Sequence, residues 1–353
     1  MSKIYLMGFA LLACACSDSS TMTAPKPQVI DVSLWVANGS NVLEFAPGIL
    51  KTMGMSGSAP TKAINSAAFV APQGVVFDAA GDLWVIDGGA SGGGAPGLYE
   101  FKPATLKAAS ATAMLTPDNA IHYSGFTFIQ QAVFDKQGNL WVSDNGAGVV
   151  DVFTSAQVQA GGANVTPATM VSSSPAFSGP LGIVFDASGN LYVANNASTT
   201  IFEFTSGMLP AVGAGAVTLA PAYTLSDNGH GSIQGPWGLI VDAEGDLWSS
   251  NANAPNTVVE FAASSLGQTG SPTPMTTLSP VTVGGDPSLD SPNGIAFDNL
   301  GDLAAINSLN AFGIPLYAKT LLSAGGAKVP TLFTAGTTTT LNAPAGCNFG
   351  PVY

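Results

Sequence analysis

Arginine is absent from this 353-residue chain, and charge of either sign is scarce. All nine basic residues are lysines, only 9% of the residues are charged, and the formal net charge is −13. A chain without guanidinium groups and with a surplus of acids is poorly suited to nucleic-acid backbones or to arginine clamps for phosphate. We therefore expect no nucleic-acid partner.

Cysteine and histidine are also rare, whereas glycine and proline are abundant. Of the three cysteines, only Cys347 lies beyond the first 16 residues, so no disulfide framework supports the fold, and we expect a buried thiol. The 42 glycines and 24 prolines disfavour helix interiors and suit turns between short strands. With 46% hydrophobic residues, the composition predicts a large all-β protein.

The amino-terminal segment is typical of an export signal. Lys3 precedes about a dozen apolar residues, too few to span a bilayer, and small residues lead into Cys14 and Cys16. This pattern resembles the lipobox of bacterial lipoproteins, in which the first mature residue is a lipidated cysteine. We predict a lipoprotein-type signal over 1–16, with Cys16 or Cys14 lipidated, and a flexible tether over 17–30. A cleaved signal without lipid is the alternative.

One unit recurs along residues 31–353. Its leucine marks six copies with spacings of 49, 57, 51, 56 and 56 residues, at Leu34, Leu83, Leu140, Leu191, Leu247 and Leu303. A period of this length indicates a propeller or solenoid. We interpret each copy as one four-stranded blade.

Each copy divides into predictable elements. An apolar inner strand such as 74–77 precedes an Asp-x-x-Gly hairpin, and then a second strand begins at the leucine. The third strand ends in an aromatic residue, and an aliphatic residue five positions later predicts a short helical turn. Outer strands should then contain the stretches 216–219, 275–278 and 330–333.

The first copy lacks its inner strand. Residues 341–349 repeat the start of an inner strand at the other end of the chain. Pairing of this segment with the first copy would close the sheet ring and remove its free edges. The sequence therefore predicts a six-bladed β-propeller closed by the C-terminal strand.

The repeat Pro-x-Gly-(Ile/Val)-x-Phe-Asp-x-x-Gly-(Asn/Asp)-Leu-(Trp/Tyr)-Val-x-(Asp/Asn) resembles NHL-repeat propellers. More distantly, it resembles the gluconolactonase (senescence-marker-protein-like) and virginiamycin B lyase-like propellers. The resemblance covers residues 32–353 and implies the fold more than a function, because such rings include lactonases, lyases and non-catalytic scaffolds. The Asn-His-(Arg)-Ile sequence of NHL repeats is absent, so no role tied to it is transferred.

Six polar side chains lie four residues after the marker leucines, on one rim of the predicted ring: Asn38, Asp87, Asp144, Asn195, Asn251 and Asn307. One interpretation is a polar mouth that binds a polyol or a cation, with Asp87 and Asp144 as metal ligands; oxygen donors suit calcium. The alternative is that each side chain hydrogen-bonds its own loop.

Two histidines precede inner strands and should lie in loops on the same rim. His122 and His230 could act as general bases or metal ligands over the pore. Five neighbours could line a pocket with them: Tyr123, Gln130, Gln131, Gln234 and Trp237. Surface histidines without such a role are the alternative.

Two comparisons with known sites weaken a catalytic interpretation. The resemblance to lactonases implies an acidic ligand near the start of an inner strand, but these positions hold Gln73, Gln131, Leu181, Trp237, Asn293 and Ala345. The Asp-x-x-Gly-Asp hairpins, such as 78–82, lack the further ligands of a calcium loop and are predicted to be turns.

These observations predict an exported propeller that binds a small ligand or a protein without catalysis. The alternative is a metal-dependent hydrolase or lyase, with Asp87, Asp144, His122 and His230 around the pore. We expect a monomer, attached to the membrane only through a lipid anchor.

Overall fold

The computed structural model describes residues 31–51, 59–89, 94–110, 112–309, 313–323, 326–335 and 341–353. Within these ranges the chain forms six blades of four antiparallel strands, as predicted. We number the blades 1 to 6 from the amino-terminal side and call their strands inner, second, third and outer. The predicted signal and tether, with Cys14 and Cys16, lie outside the described residues.

The inner strands are apolar because they are covered on both faces. In order of blades they are Pro344–Gly350, Pro72–Phe77, Ile129–Phe134, Pro180–Phe185, Pro236–Val241 and Pro292–Phe297. Each second strand begins at the marker leucine of the repeat or next to it: Ser33–Asn38, Leu83–Asp87, Leu140–Asp144, Leu191–Asn195, Leu247–Asn251 and Leu303–Asn307.

The predicted aspartate hairpins join inner to second strands. In blade 2, Asp78 accepts hydrogen bonds from the backbone N–H groups of Ala80 and Asp82, both at 2.9 Å. Gly81 supplies the left-handed residue of this turn, with φ of +87°. The same acceptor geometry recurs at Asp135, Asp242 and Asp298.

Third and outer strands complete the blades. The third strands are Asn41–Phe45, Gly97–Phe101, Val149–Phe153, Thr200–Phe204, Val258–Phe261 and Gly313–Tyr317. The outer strands are Lys62–Asn65, Asn119–Ile121, Thr169–Ser173, Tyr223–Ser226, Thr276–Ser279 and Leu332–Ala335.

Short helical turns follow the third strands, as predicted. Four are α-helical, at Pro47–Leu50, Pro103–Ala108, Ser155–Ala160 and Lys319–Leu322, and two are 3-10 turns, at Ser206–Met208 and Ala263–Ser265. A further 3-10 turn, Asn196–Ser198, joins the second and third strands of blade 4. The aliphatic residue of each α-helical turn is buried: Leu50, Leu106, Val158 and Leu322. No helix in the described part of the chain is long and apolar enough to cross a membrane.

Blades 1, 3 and 5 carry a fifth strand. It pairs parallel with their outer strand and comes from the following blade: Thr112–Met114, Gly215–Leu219 and Gly326–Ala327. The prediction that 216–219 forms the outer strand of blade 4 is therefore wrong, because this segment joins blade 3. A small hairpin, Thr282–Val283 with Asp286–Pro287, lies outside the blades.

The ring is closed by the strand Pro344–Gly350. It pairs antiparallel with Ser33–Asn38, placing Leu34 opposite Phe349 and Trp35 opposite Asn348. Blade 1 therefore combines the beginning and the end of the described chain, as the sequence predicted.

The hydrophobic core lies between neighbouring blades. Large side chains of one second strand pack against the next inner strand, and aromatic pairs repeat this contact edge-to-face: Trp35–Phe77, Trp84–Phe134, Trp141–Phe185 and Trp248–Phe297. Because each blade needs its neighbours to bury these rings, the six blades form one unit.

Candidate functional site

The predicted rim aspartates are buried and accept hydrogen bonds from the loops that precede their own inner strands and from the residues that follow their second strands. Asp87 accepts from the N–H of Val70 at 2.7 Å, of Ala71 at 3.0 Å and of Gly89 at 2.9 Å. Burial raises the pKa of Asp87, and these three N–H groups partly offset the rise. Both carboxylate oxygens therefore already have donors.

Asp144 has the same arrangement in blade 3. It accepts from the N–H groups of Thr127, Phe128 and Ala147 at 2.8–3.0 Å and from the Thr127 hydroxyl at 2.6 Å. Calcium prefers oxygen atoms that are free to coordinate it. The oxygens of Asp87 and Asp144 are held by N–H and O–H donors, so these two residues do not fit a calcium site.

The four rim asparagines repeat this contact. In each, the amide oxygen accepts the N–H of a loop residue at 2.6–3.1 Å; the pairs are Asn38–Asn342, Asn195–Ser178, Asn251–Gln234 and Asn307–Asp290. All six rim side chains are at most 2% exposed. This geometry favours the loop-anchoring interpretation over a polar mouth.

An apolar cluster lies where the inner strands begin. Leu181, Trp237 and Ala345, from blades 4, 5 and 1, pack together there, and each is less than 9% exposed. Trp237, predicted to line a pocket, thus fills the space between three blades. The Gln131 side chain of blade 3 lies against Gly74 and Gly346 of blades 2 and 1.

The axial channel is narrow. Its cavity has a volume of about 170 Å³ and is lined by inner-strand residues, among them Val75, Gln131, Ile183 and Cys347. Small-molecule sites usually measure about 300–1,000 Å³. Burial raises the pKa of the Cys347 thiol well above its ordinary value, so this residue is an inert core thiol.

The two histidines lie on separate loops. His122 follows the outer strand of blade 2, donates its N–H to the Gly162 carbonyl at 3.0 Å, and packs edge-to-face on Tyr99 with ring centroids 5.5 Å apart. His230 is exposed in the loop between blades 4 and 5, where its N–H donates to Asn228.

The pocket residues predicted beside the histidines have structural contacts. Tyr123 packs edge-to-face on Phe126 at 5.5 Å, and its hydroxyl contacts the Met170 sulfur at 3.9 Å. Gln234 donates its N–H to Asn251.

Acidic clusters occur at the hairpin rim instead. Among the described residues, two groups of three carboxylates have oxygens within 4.8 Å of one another: Asp78/Asp82/Glu100 and Asp242/Asp246/Glu260. Burial and the nearby Asp82 raise the pKa of Glu100 to about 7. Neither group includes a predicted site residue.

The glutamates of these clusters are not among the residues predicted from the sequence, although the repeat contains a signal for them. Glu100 and Glu260 precede the aromatic residue that ends each third strand, and they pair across the sheet with Trp84 and Trp248. In the second cluster, Asp242 accepts from the N–H groups of Glu244 and Asp246 and from the Trp248 indole. These contacts are those of a turn.

Solved structures match the fold, whereas no protein-family model and no curated protein matches the chain. The periplasmic gluconolactonase of Pseudomonas aeruginosa is 17% identical over 91% of this chain and 99% of its own, with a TM-score of 0.56. A chain of a nidogen/laminin complex is 14% identical over 90% and 98%, with a TM-score of 0.55. A streptogramin B lyase is 16% identical over 70% and 66%, with a TM-score of 0.43.

At these identities the likeness concerns the fold alone. The predicted resemblance to gluconolactonase-like propellers is confirmed at that level.

Proposed function

We propose that this protein is a non-catalytic binding propeller, a rigid ring that holds a ligand or a partner protein. One observation carries the proposal: the six polar side chains of the pore rim are buried and hydrogen-bonded to loop N–H groups. Side chains that are hydrogen-bonded to the backbone in this way stabilise the loops of the blades and are not free to contact a substrate. We also propose that the repeat is of the NHL type.

We further propose that the protein works at the cell envelope as a monomer. The apolar segment before Cys14 and Cys16 supports export and a lipid anchor, and the acidic, arginine-free composition argues against nucleic acid as a partner.

A metal-dependent hydrolase or lyase acting on a lactone or ester is the alternative. The fold shared with a gluconolactonase favours it. It would require Asp87 and Asp144 to leave their N–H donors, and it would require His122 or His230 to approach the pore.

Substitutions at Asp87 separate the two functions. Because asparagine occupies the same place in blades 1, 4, 5 and 6, Asp87→Asn should cost only about 1 kcal/mol of unfolding free energy, whereas Asp87→Ala should cost about 2–3 kcal/mol by leaving N–H groups unpaired. Urea unfolding measures both.

The matching activity test uses the purified protein. We expect no stoichiometric metal by elemental analysis and no turnover of a lactone and ester panel, with or without chelator. Bound metal together with chelator-sensitive turnover that Asp87→Asn abolishes would replace the binding function by the enzymatic one.

A further inference from the structure

The segment 351–353 lies in the groove between blades 1 and 2, on the hairpin side of the ring. The Tyr353 ring packs against Trp35 with centroids 6.0 Å apart, and its hydroxyl donates to the Gly81 carbonyl. The Trp35 indole donates to the Pro351 carbonyl at 3.3 Å, and Lys62 donates to the main-chain oxygen of Tyr353 at 2.7 Å. This groove therefore binds a tyrosine residue through its ring, its hydroxyl and its main-chain oxygen.

The groove between blades 5 and 6 is built from the corresponding residues. Both grooves have an edge-to-face Trp–Phe pair, with centroids 5.8 Å apart in one and 5.5 Å in the other. In both, an outer-strand side chain donates a hydrogen bond to a leucine carbonyl in the helical turn of the next blade. Lys62 donates to Leu106 in one groove, and Thr276 donates to Leu322 in the other. The corresponding residues are Trp35 and Trp248, Lys62 and Thr276, Phe77 and Phe297, Gly81 and Gly301, and Leu106 and Leu322.

In blades 5 and 6 the place that corresponds to Tyr353 is an open cavity. It has a volume of about 740 Å³ and is lined by Trp248, Thr276, Phe297, Gly301 and Leu322. This volume is ample for an aromatic side chain with its flanking residues. The Trp248 indole N–H is held by Asp242 at 2.8 Å, so Trp248 offers its ring to an incoming group.

The two grooves differ in charge. Two lysines, Lys62 and Lys107, accompany Tyr353 beside the carboxylates of Glu44, Asp78 and Asp82, and the Lys107 ammonium lies 5.9 Å from the centre of the ring. The open cavity is lined by five carboxyl groups and one lysine: Asp242, Glu244, Asp246, Glu260, Asp298 and Lys319. Its lysine already contacts Glu244 at 3.7 Å. An occupant with cationic neighbours is therefore favoured.

We propose that the groove between blades 5 and 6 binds a tyrosyl side chain of a partner polypeptide, flanked by basic residues. The ring packs against Trp248 and Phe297, and the hydroxyl donates to the Gly301 carbonyl, as Tyr353 does at Gly81. This inference deepens the proposed binding function by naming a site and a partner chemistry.

The groove between blades 3 and 4 provides an internal comparison. It contains Trp141, Phe185 and Gly189 at the corresponding places and has a volume of about 570 Å³. The third-strand residue that pairs with Trp141 is Val152, whereas Glu260 pairs with Trp248 in the groove between blades 5 and 6. This groove should therefore select less strongly for basic residues.

Short peptides test the proposal by isothermal titration calorimetry on the whole protein at low salt. Acetyl-Lys-Tyr-Lys-amide should bind with a dissociation constant on the order of 0.1–1 mM. Acetyl-Lys-Phe-Lys-amide, which lacks the hydroxyl, should bind about fivefold more weakly. Acetyl-Lys-Leu-Lys-amide and acetyl-Glu-Tyr-Glu-amide should each bind at least tenfold more weakly.

Substitutions locate the binding site. Met275 is 59% exposed at the edge of the cavity, and Met114 is 71% exposed and does not line it. Met275→Trp should weaken binding of the tyrosine peptide at least tenfold, while Met114→Trp should leave it unchanged. Both exchange an exposed methionine, so equal melting temperatures of the two variants distinguish a blocked groove from a loss of folding.

Tyr353→Ala tests the equivalence of the two grooves. Emptying the groove that contains Lys62 and Lys107 should create a second site for the tyrosine peptides, with a smaller preference for lysine over glutamate neighbours than the cavity between blades 5 and 6. Absence of this gain would overturn the assignment of a tyrosyl site.

Two other results would overturn the proposal. One is equal binding of the leucine and tyrosine peptides, which indicates charge attraction alone; the other is insensitivity to Met275→Trp. Chelator-sensitive turnover would overturn the proposed function and leave these titrations unchanged, so the two failures are distinguishable.

Discussion

Asp151 is a carboxyl group in a place that other blades fill with apolar side chains. It pairs with Val142, and the corresponding third-strand residues are Leu43, Tyr99, Phe202 and Val259. Asp151 is 1% exposed, and its Oδ1 has no hydrogen-bond partner within the described ranges. Burial and then the nearby Asp144 raise the pKa of Asp151 to about 7.

This pKa predicts a pH dependence of stability. The folded protein keeps a proton on Asp151 that the unfolded chain releases above about pH 4, so the free energy of unfolding should fall between about pH 4 and pH 7 and level off above. The loss is on the order of 2–4 kcal/mol. In Asp151→Asn this slope should be smaller, as measured by urea unfolding at pH 4.5, 5.5, 6.5 and 7.5.

Asp151→Val is the matched control, because Val259 occupies the same place in blade 5. It should raise the stability at pH 7.5 above that of the wild type. Parallel stability curves for the wild type and Asp151→Asn would contradict the assignment.

Residue identity predicted some of these environments and not others. The rim positions of Asp87 and Asn251 followed from the repeat, since each lies at a fixed distance from its leucine. The packing of Trp237 with Leu181 and Ala345 did not, because those residues come from three different blades and no local pattern links them. The local sequence therefore does not show which side chains of different blades meet near the axis.

The inner strands approach one another closely around the axis, which explains the glycine of the repeat. A Cβ atom added at Gly238 would lie 2.6 Å from the Asn293 carbonyl oxygen, and one at Gly294 would lie 2.7 Å from the Cys347 nitrogen. At Gly182, the carbonyl oxygen of Trp237 is closer still. Neighbouring backbone leaves no room for a side chain at these places.

Gly182→Ala should therefore destabilise the protein by about 3 kcal/mol or more, because backbone rather than a side chain must move. Gly207→Ala is the control, since nothing lies within 4 Å of its added Cβ, and it should change stability by less than about 1 kcal/mol. Chemical unfolding of both variants checks this. Equal effects would mean that the inner strands can separate without cost.

At the level of elements, antiparallel strands were predictable and parallel ones were not. The second strands begin at or next to the marker leucines because hairpin chemistry is local in sequence. The fifth strand Gly215–Leu219 belongs to blade 3, although it lies in the sequence of blade 4. Its pairing partner, Thr169–Ser173, is more than 40 residues away, and an apolar stretch by itself does not specify which sheet it joins.

Closure of the whole ring depends on Pro344–Gly350. A chain truncated after residue 343 leaves Ser33–Asn38 as a free edge and should lose its cooperative thermal transition. A synthetic peptide of residues 341–353 should restore the transition, as followed by circular dichroism.

The same peptide with Gly346→Val is the control. A Cβ at Gly346 would lie 2.6 Å from the Gln73 carbonyl oxygen, so this peptide should not restore folding. Cooperative melting of the truncated chain by itself would contradict a closed ring held by this strand.

Closure by a distant strand also sets the order of events during synthesis. Trp35 and Pro351, which meet at the junction, are 316 positions apart. A growing polypeptide therefore cannot complete its first blade until nearly all the others have been translated. Such a delay keeps the nascent molecule open until its last strand has been made.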